Sequence, residues 1–321
     1  MRTCVTLVVL ILVWQEIPSV QAQSAAAAPR GTWSMKASLG EPRTEVGTAY
    51  LNGKVYVFGG MARGQESHPS VQEYDVKTDR WRDRAPMPGP LSHPSAVTLN
   101  DKVYVVGGFL RNVHLDAQDK VLEYDPVADS WRTLAPLSSP RGSVGLAVVN
   151  GRIHAIGGRD VNRVTQGIHE VFDPAKGTWS SLAPLPQPRD HTAVVAVGRD
   201  IHVIGGRLNT PVENVNTHDV YNTATNTWRT AAPLPAPRSG GGAVLYRGLI
   251  VVFGGECDNG RPFARNEAFD PKSGRWSTLA PMAAGRHGIT AATDGRVIYV
   301  PAGAPNCATA AIDTLQIFRL N

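Results

Sequence analysis

Ten residues after each of six tryptophans stand Arg43, Leu91, Arg141, Arg189, Arg238 and Arg286: five arginines and one exception. Arg159 and Arg207 each follow a Gly-Gly pair, and Glu45, His93, Asp190, His191 and His287 lie within two residues of the ten-after positions. Guanidinium groups offer a planar fork of donors that fits a carboxylate, and several gathered in one concavity attract anions. Imidazoles beside carboxylates can bind a ligand or move protons, because histidine titrates near neutrality. The other reading of each arginine is local, a bond to loop carbonyls or to Glu45, Asp190, Glu256 or Asp258. His-Glu-x-x-His, Gly-x-Ser-x-Gly, phosphate-loop and Cys-x-x-Cys patterns are all missing from the sequence, so no catalytic residue and no metal or cofactor is assigned.

The elements that must position these groups come from a repeat. From each tryptophan to the second small residue of the next Gly-Gly pair is 27 residues, from Trp33 to Gly60 through Trp276 to Gly303, where Ala302 replaces the first glycine. An aromatic-polar pair follows (Tyr74-Asp75, Tyr124-Asp125, Phe172-Asp173, Tyr221-Asn222, Phe269-Asp270), with the next tryptophan six residues beyond the polar member. A period of 48 to 50 residues over nearly the whole chain marks a repeat architecture. Each repeat splits into four short strands. A small apolar strand turns through pairs such as Asn52-Gly53 or Asn150-Gly151 into a β-branched strand that ends at the glycines. The aromatic pair marks the third strand and the tryptophan the fourth.

These marks resemble those of the kelch-repeat family over about residues 31–321. The resemblance implies an all-β, six-bladed β-propeller of four-stranded blades. The last repeat stops at Asn321 without a tryptophan strand, and an orphan copy of that strand, Trp33 to Leu39, opens the first repeat. The N-terminal strand is therefore expected to complete the last blade and close the ring, which leaves no unpaired sheet edge.

All length variation falls in the loop between second and third strands, so the face bearing those loops is the expected binding face. Symmetry then places Arg43, Arg141, Arg189, Arg238 and Arg286 round the channel mouth, with Arg159 and Arg207 on the same face and Arg63, Arg111 and Arg163 along the loops. In kelch domains that bind acidic peptides the matching arginines are ligand contacts, which supports this reading by resemblance. His154 and His202 fall where other repeats carry Tyr56, Tyr104 and Tyr299 and are expected to pack within blades. The first functional expectation is a non-enzymatic binding module for an acidic protein segment or an anionic glycan. The second is a sugar-active enzyme resembling the sialic-acid mutarotases, with Glu45, His93, Asp190, His191 and the arginines at its site. A copper oxidase resembling galactose oxidase ranks last, because the two tyrosines, two histidines and Tyr-Cys crosslink that the resemblance would require are not placed in this sequence.

The N-terminus reads as a signal peptide over residues 1–22, with a basic start, the apolar run Val5 to Trp14 and a small-x-small site ending at Ala22. Residues 23–30 read as a linker. Such a chain is expected to be secreted or periplasmic, without stable membrane insertion after cleavage. The exported part then holds two cysteines, Cys257 and Cys307, in adjacent repeats after equivalent glycines, which suits a disulfide. Net charge is +5 with both signs interspersed, so a nucleic-acid partner is not expected. Oligomeric state is left open.

Overall fold

The computed structural model describes residues 30–62, 66–111, 114–209, 213–256, 260–307 and 310–321. The signal segment, Arg63 and Cys257 lie outside the described residues. Six four-stranded antiparallel sheets follow one another along the chain, and no helix occurs among the described residues. Blade I comprises Gly47–Leu51, Lys54–Phe58, Val71–Asp75 and Arg80–Arg84. Blades II to V repeat that order, beginning at Ser95–Leu99, Gly145–Val149, Ala193–Val197 and Gly242–Tyr246.

Blade VI is made from both ends of the chain. Ala292–Thr293, Ile298–Pro301 and Leu315–Arg319 supply three strands, and Thr32–Lys36 supplies the fourth. Its register sets Trp33 opposite Phe318 and Lys36 opposite Leu315, as the missing sixth tryptophan strand requires. Arg30, expected in the linker, already bridges to Leu279 of blade V.

The aromatic and glycine marks each have a physical cause. Every fourth-strand tryptophan packs on the third-strand aromatic opposite it, as Trp81 does on Tyr74 at 5.2 Å between ring centres. Its indole N–H also reaches across the seam to a carbonyl of the preceding blade. Trp81 donates to Ala37, Trp131 to Ala85, Trp179 to Ala135, Trp228 to Ala183 and Trp276 to Ala232, and Trp33 closes the circle on Ala280, all at 2.7–2.9 Å. Each acceptor lies four residues after the preceding tryptophan. The repeat spacing therefore encodes blade-to-blade bonding as well as packing.

The glycine pair sits where the chain leaves the second strand and meets the entry of the next blade. Gly60 N–H donates to the carbonyl of Leu91 at 2.9 Å, Gly206 to Arg238 at 3.0 Å and Gly303 to Arg43 at 2.8 Å. At Gly59 φ is +56°, and a Cβ would lie 2.3 Å from the Leu91 carbonyl oxygen. A left-handed backbone pressed against a neighbouring peptide leaves room for glycine alone. Ala302, at φ +59°, is the one position in the series that carries a methyl group there.

Candidate functional site at the channel mouth

The five strand-entry arginines do not ring the mouth. All are buried, at 0–3% exposure, and each turns into its own blade to cap the third strand. Arg43 donates to the Gly59 and Ser70 carbonyls and to Gln72 Oε1. Arg141 pairs with Glu170, and Arg238 with Glu267. Arg189 meets Asp219 at 2.8 Å and the Gly205 carbonyl at 2.8 Å. Arg286 reaches Gln316 Oε1 at 2.8 Å and the Ala302 carbonyl at 2.7 Å. Burial lowers the pKa of Arg43 and of Arg286 to about 10, which marks how thoroughly these cations are removed from water.

Blade II supports the structural role by its exception. Its strand-entry residue is Leu91, and the third-strand position filled elsewhere by Gln72, Glu170, Asp219, Glu267 and Gln316 is Leu122. Both leucines are buried in one apolar cluster. Where the arginine is lost its polar partner is lost with it, a pairing visible in the sequence two residues before each third-strand aromatic.

The mouth is formed two residues further on. Glu45, His93, Ser143, His191, Gly240 and Gly288 occupy equivalent positions in the six blades, and all have φ between +52° and +62°. Left-handed backbone at a residue with a Cβ carries a strain cost, so its recurrence here reflects the geometry of the whole ring. The backbone closes head to tail in part: Glu45 N–H donates to Gly288 O, His93 to Glu45 O, Ser143 to His93 O and Gly240 to His191 O. These six positions line a cavity of about 430 Å³, counting space open to solvent, together with the residues that lead into the inner strands.

Around this cavity lies a continuous polar network. His191 Nδ1 is 2.8 Å from Asp190 Oδ1, and its Nε2 is 3.2 Å from Ser143 Oγ. Arg207 donates from Nε to Asp190 at 3.0 Å, from Nη1 to Glu256 at 2.6 Å, and from Nη2 to His114 Nε2 at 2.9 Å and His191 Nε2 at 3.1 Å. Because both imidazole nitrogens accept from a guanidinium, neither carries a proton there. The Nδ1 of His191 then bears the hydrogen and donates it to Asp190. Arg159 also pairs with Asp190 and holds the Leu208 and Asn209 carbonyls of the next blade's loop. Across the mouth, Glu45 stands between His93 at 3.3 Å and His287 at 3.5 Å.

Charge at the mouth is nearly balanced. Burial pushes the carboxyl groups of Glu45, Asp190 and Glu256 upward, but their cationic and histidine neighbours outweigh it and hold all three below the usual carboxylate range. For Glu45 the main opposing neighbour is His93, then His287; for Glu256 it is Arg207. Burial lowers His93 to about 4 and drives His114 far down, so both are neutral at physiological pH. Burial also works against protonated His287, but the contact with Glu45 wins and raises it. Three carboxylates thus face Arg159, Arg207 and a His287 that readily holds a proton. The surplus of positive charge expected from the arginines is met inside the protein.

Of the residues expected at the site, Glu45, His93, His191, Arg159 and Arg207 are brought together, and Arg43, Arg141, Arg189, Arg238 and Arg286 are set apart in the blades. Ser143 and His114 were missed. Ser143 lies in register with Glu45, His93 and His191 and could have been found by moving the alignment two residues. His114 comes from the second-to-third loop of blade II, the longest in the series, where no register applies. His154 and His202 pack within blades III and IV, each against a second buried histidine, His169 and His218.

Comparison with known proteins agrees with this architecture. The family model for the KLHDC2/KLHL20/DRC7 Kelch-repeats domain matches residues 29–206, more than half of the chain, and the Kelch motif matches residues 188–235 and 237–283. No curated protein matches the chain. Among solved structures, one described as the structure of YjhT has a TM-score of 0.75 at 17% identity, covering 88% of this chain and 96% of that one. At that identity the likeness shows a shared fold. With six blades in register and the family model spanning three of them and the first two strands of a fourth, the chain belongs to the kelch-repeat family.

Proposed function

We propose that this propeller is a sugar-active enzyme that interconverts the ring forms of a small reducing sugar or sugar acid at the channel mouth. The observation that carries this reading is the convergence of Glu45, His93, Ser143 and His191 from four blades on one small cavity. Small polar ligands are held by pockets of this kind, whereas a macromolecule needs a broad surface. Ring opening moves two protons: a base takes the anomeric hydroxyl proton while an acid protonates the ring oxygen, and the ring C–O bond breaks. After rotation about the adjacent C–C bond the ring closes with the protons returned, so there is no net redox change. Glu45, ionised, fits the base, and His287, 3.5 Å from it, fits the acid. Ser143 and His191 offer hydroxyl-binding groups on the opposite wall.

Exchange spectroscopy on a panel of neutral and acidic reducing sugars tests the reading. Anomer exchange faster than in buffer, lost in Glu45→Gln without loss of fold, is the expected outcome. Exchange at the buffer rate for every sugar would remove the enzymatic reading. A second reading, a binding module for an acidic protein segment or anionic glycan, has support from exposed Arg111 and Arg163 on the loop-bearing face. Saturable, salt-sensitive binding of an acidic peptide, weakened by Arg111→Ala with Arg163→Ala, would favour it.

The apolar leader further suggests an exported protein, and export suits a Cys257–Cys307 disulfide. Two alkylatable thiols in the oxidised, exported chain would exclude that bridge.

A further inference from the structure

At one wall of the cavity three imidazoles meet, His93 and His191 from its lining and His114 from behind them. His93, His114 and His191 come from two blades and one long loop, all 6–8% exposed, with ring centres 4.7–5.2 Å apart. One nitrogen of each lies within 4.8 Å of one from each of the others. His114 itself sits in a turn at φ +64°. Nε2 of His114 and of His191 accepts from Arg207 Nη2, so the trio is a polar cluster and not apolar packing.

We propose that His93, His114 and His191 form a binding site for a divalent transition-metal cation of the zinc class. Three features support it. First, the lone pairs of His114 Nε2 and His191 Nε2 are both aimed at one point, and that point is occupied by the cationic Nη2 of Arg207. The protein thus already places positive charge where a metal would sit. Second, His191 has the outer partner typical of a metal-bound imidazole: its Nδ1–H donates to the buried Asp190 carboxylate, which fixes the tautomer with Nε2 free to ligate. His93 contacts Ser92 Oγ through Nδ1 at 3.2 Å, and its Nε2 lies 3.3 Å from Glu45 Oε2. Third, Asp190 pairs with His191 and Glu45 with His93, and Glu256 pairs with Arg207 next to them, so an added cation meets buried carboxylates.

Tetrahedral zinc–imidazole sites have Zn–N distances of about 2.0–2.1 Å, which sets the nitrogens roughly 3.3 Å apart. Nitrogens that lie within 4.8 Å of one another would close by at most about 1.5 Å to reach that geometry. Arg207 would give up its Nη2 contacts and stay anchored through Nε to Asp190 and Nη1 to Glu256. A fourth position would be left to water or ligand from the cavity.

The test uses the full chain without an oligohistidine tag, stripped with chelator and dialysed against low-micromolar zinc. Elemental analysis should find one zinc per chain, and cobalt in its place should give the visible absorption of a low-coordinate nitrogen site. His114→Gln, which keeps an acceptor for Arg207, and His93→Gln should each abolish that spectrum, and Asp190→Asn should weaken zinc binding by about 10–100-fold. Melting curves establish that each variant is folded. Substoichiometric zinc in the parent chain, or undiminished binding in folded His114→Gln, would overturn the proposal. Because zinc content and cobalt absorption are read without any sugar, they fail or succeed independently of ring-form exchange.

Discussion

Replacing Arg141 with leucine should destabilise the propeller, and replacing its partner Glu170 as well should restore most of what is lost. Arg141 is fully buried and Glu170 is 2% exposed. In the single variant the carboxylate keeps, among the described residues, the Ser138 N–H at 3.3 Å. Removing one member of a buried pair costs about 3–5 kcal/mol, because the other charge stays desolvated. Unfolding entropy near 2.1 cal/mol/K per residue gives this domain about 0.6 kcal/mol per degree, so the melting temperature should fall by about 5–8 °C. Among the described residues Arg141 Nε and Nη1 have no hydrogen-bond partner, so the native pair itself is imperfectly compensated. The double variant Arg141→Leu, Glu170→Leu copies Leu91 and Leu122 of blade II. It should melt near the parent temperature or above it, since apolar replacement of a buried pair is often neutral or stabilising. Urea melts of the four proteins form a double-mutant cycle. A single variant within about 1 kcal/mol of the parent would show that Arg141 is no clamp. A double variant as weak as the single would show that blade II is no guide to blade III.

Two further outcomes follow from the seams and from the buried histidine pairs. Deleting the chain through Lys36 removes the fourth strand of blade VI and the Trp33 bond to Ala280, and should sharply lower the melting temperature; an unchanged value would mean that the ring does not depend on this closure. In blades III and IV, His154 Nδ1 contacts His169 Nε2 at 3.0 Å and His202 Nδ1 contacts His218 Nε2 at 2.8 Å, while His169 and His218 each face a backbone carbonyl through Nδ1. Burial lowers His154, His202 and His218 to about 4 and His169 to about 3. The unfolded chain therefore takes up protons first: stability is complete above about pH 6.5 and is lost as pH falls towards 4. The loss should be on the order of several kcal/mol per pair. Giving blade III the residues of blade I, His154→Tyr with His169→Val, should flatten this acid limb, and an identical pH profile in that variant would place the acid sensitivity elsewhere.

The architecture was legible because its determinants are backbone events repeated at fixed intervals. A glycine that must abut the next blade's carbonyl, or an indole that must reach a carbonyl four residues past the previous tryptophan, leaves the same mark in every repeat. The closing strand was legible for the same reason, as a missing copy at one end and a spare at the other. Side-chain direction at the strand entry was not, since charge alone does not say whether Arg141 faces the axis or the sheet. Its buried carboxylate partner, and the joint loss of both charges in blade II, carried that information 29 to 31 residues away. Two residues later the chain turns through left-handed φ and reverses the outcome, so that Glu45, His93, Ser143 and His191 reach the axis while the larger, more highly charged arginines do not. His114 had no such mark. It arrives on a loop whose length is free to vary, and a repeat reads only what the blades hold in common. The site is thus composed of what breaks the repeat: unlike side chains at like positions, joined by one loop residue that has no counterpart in the other blades.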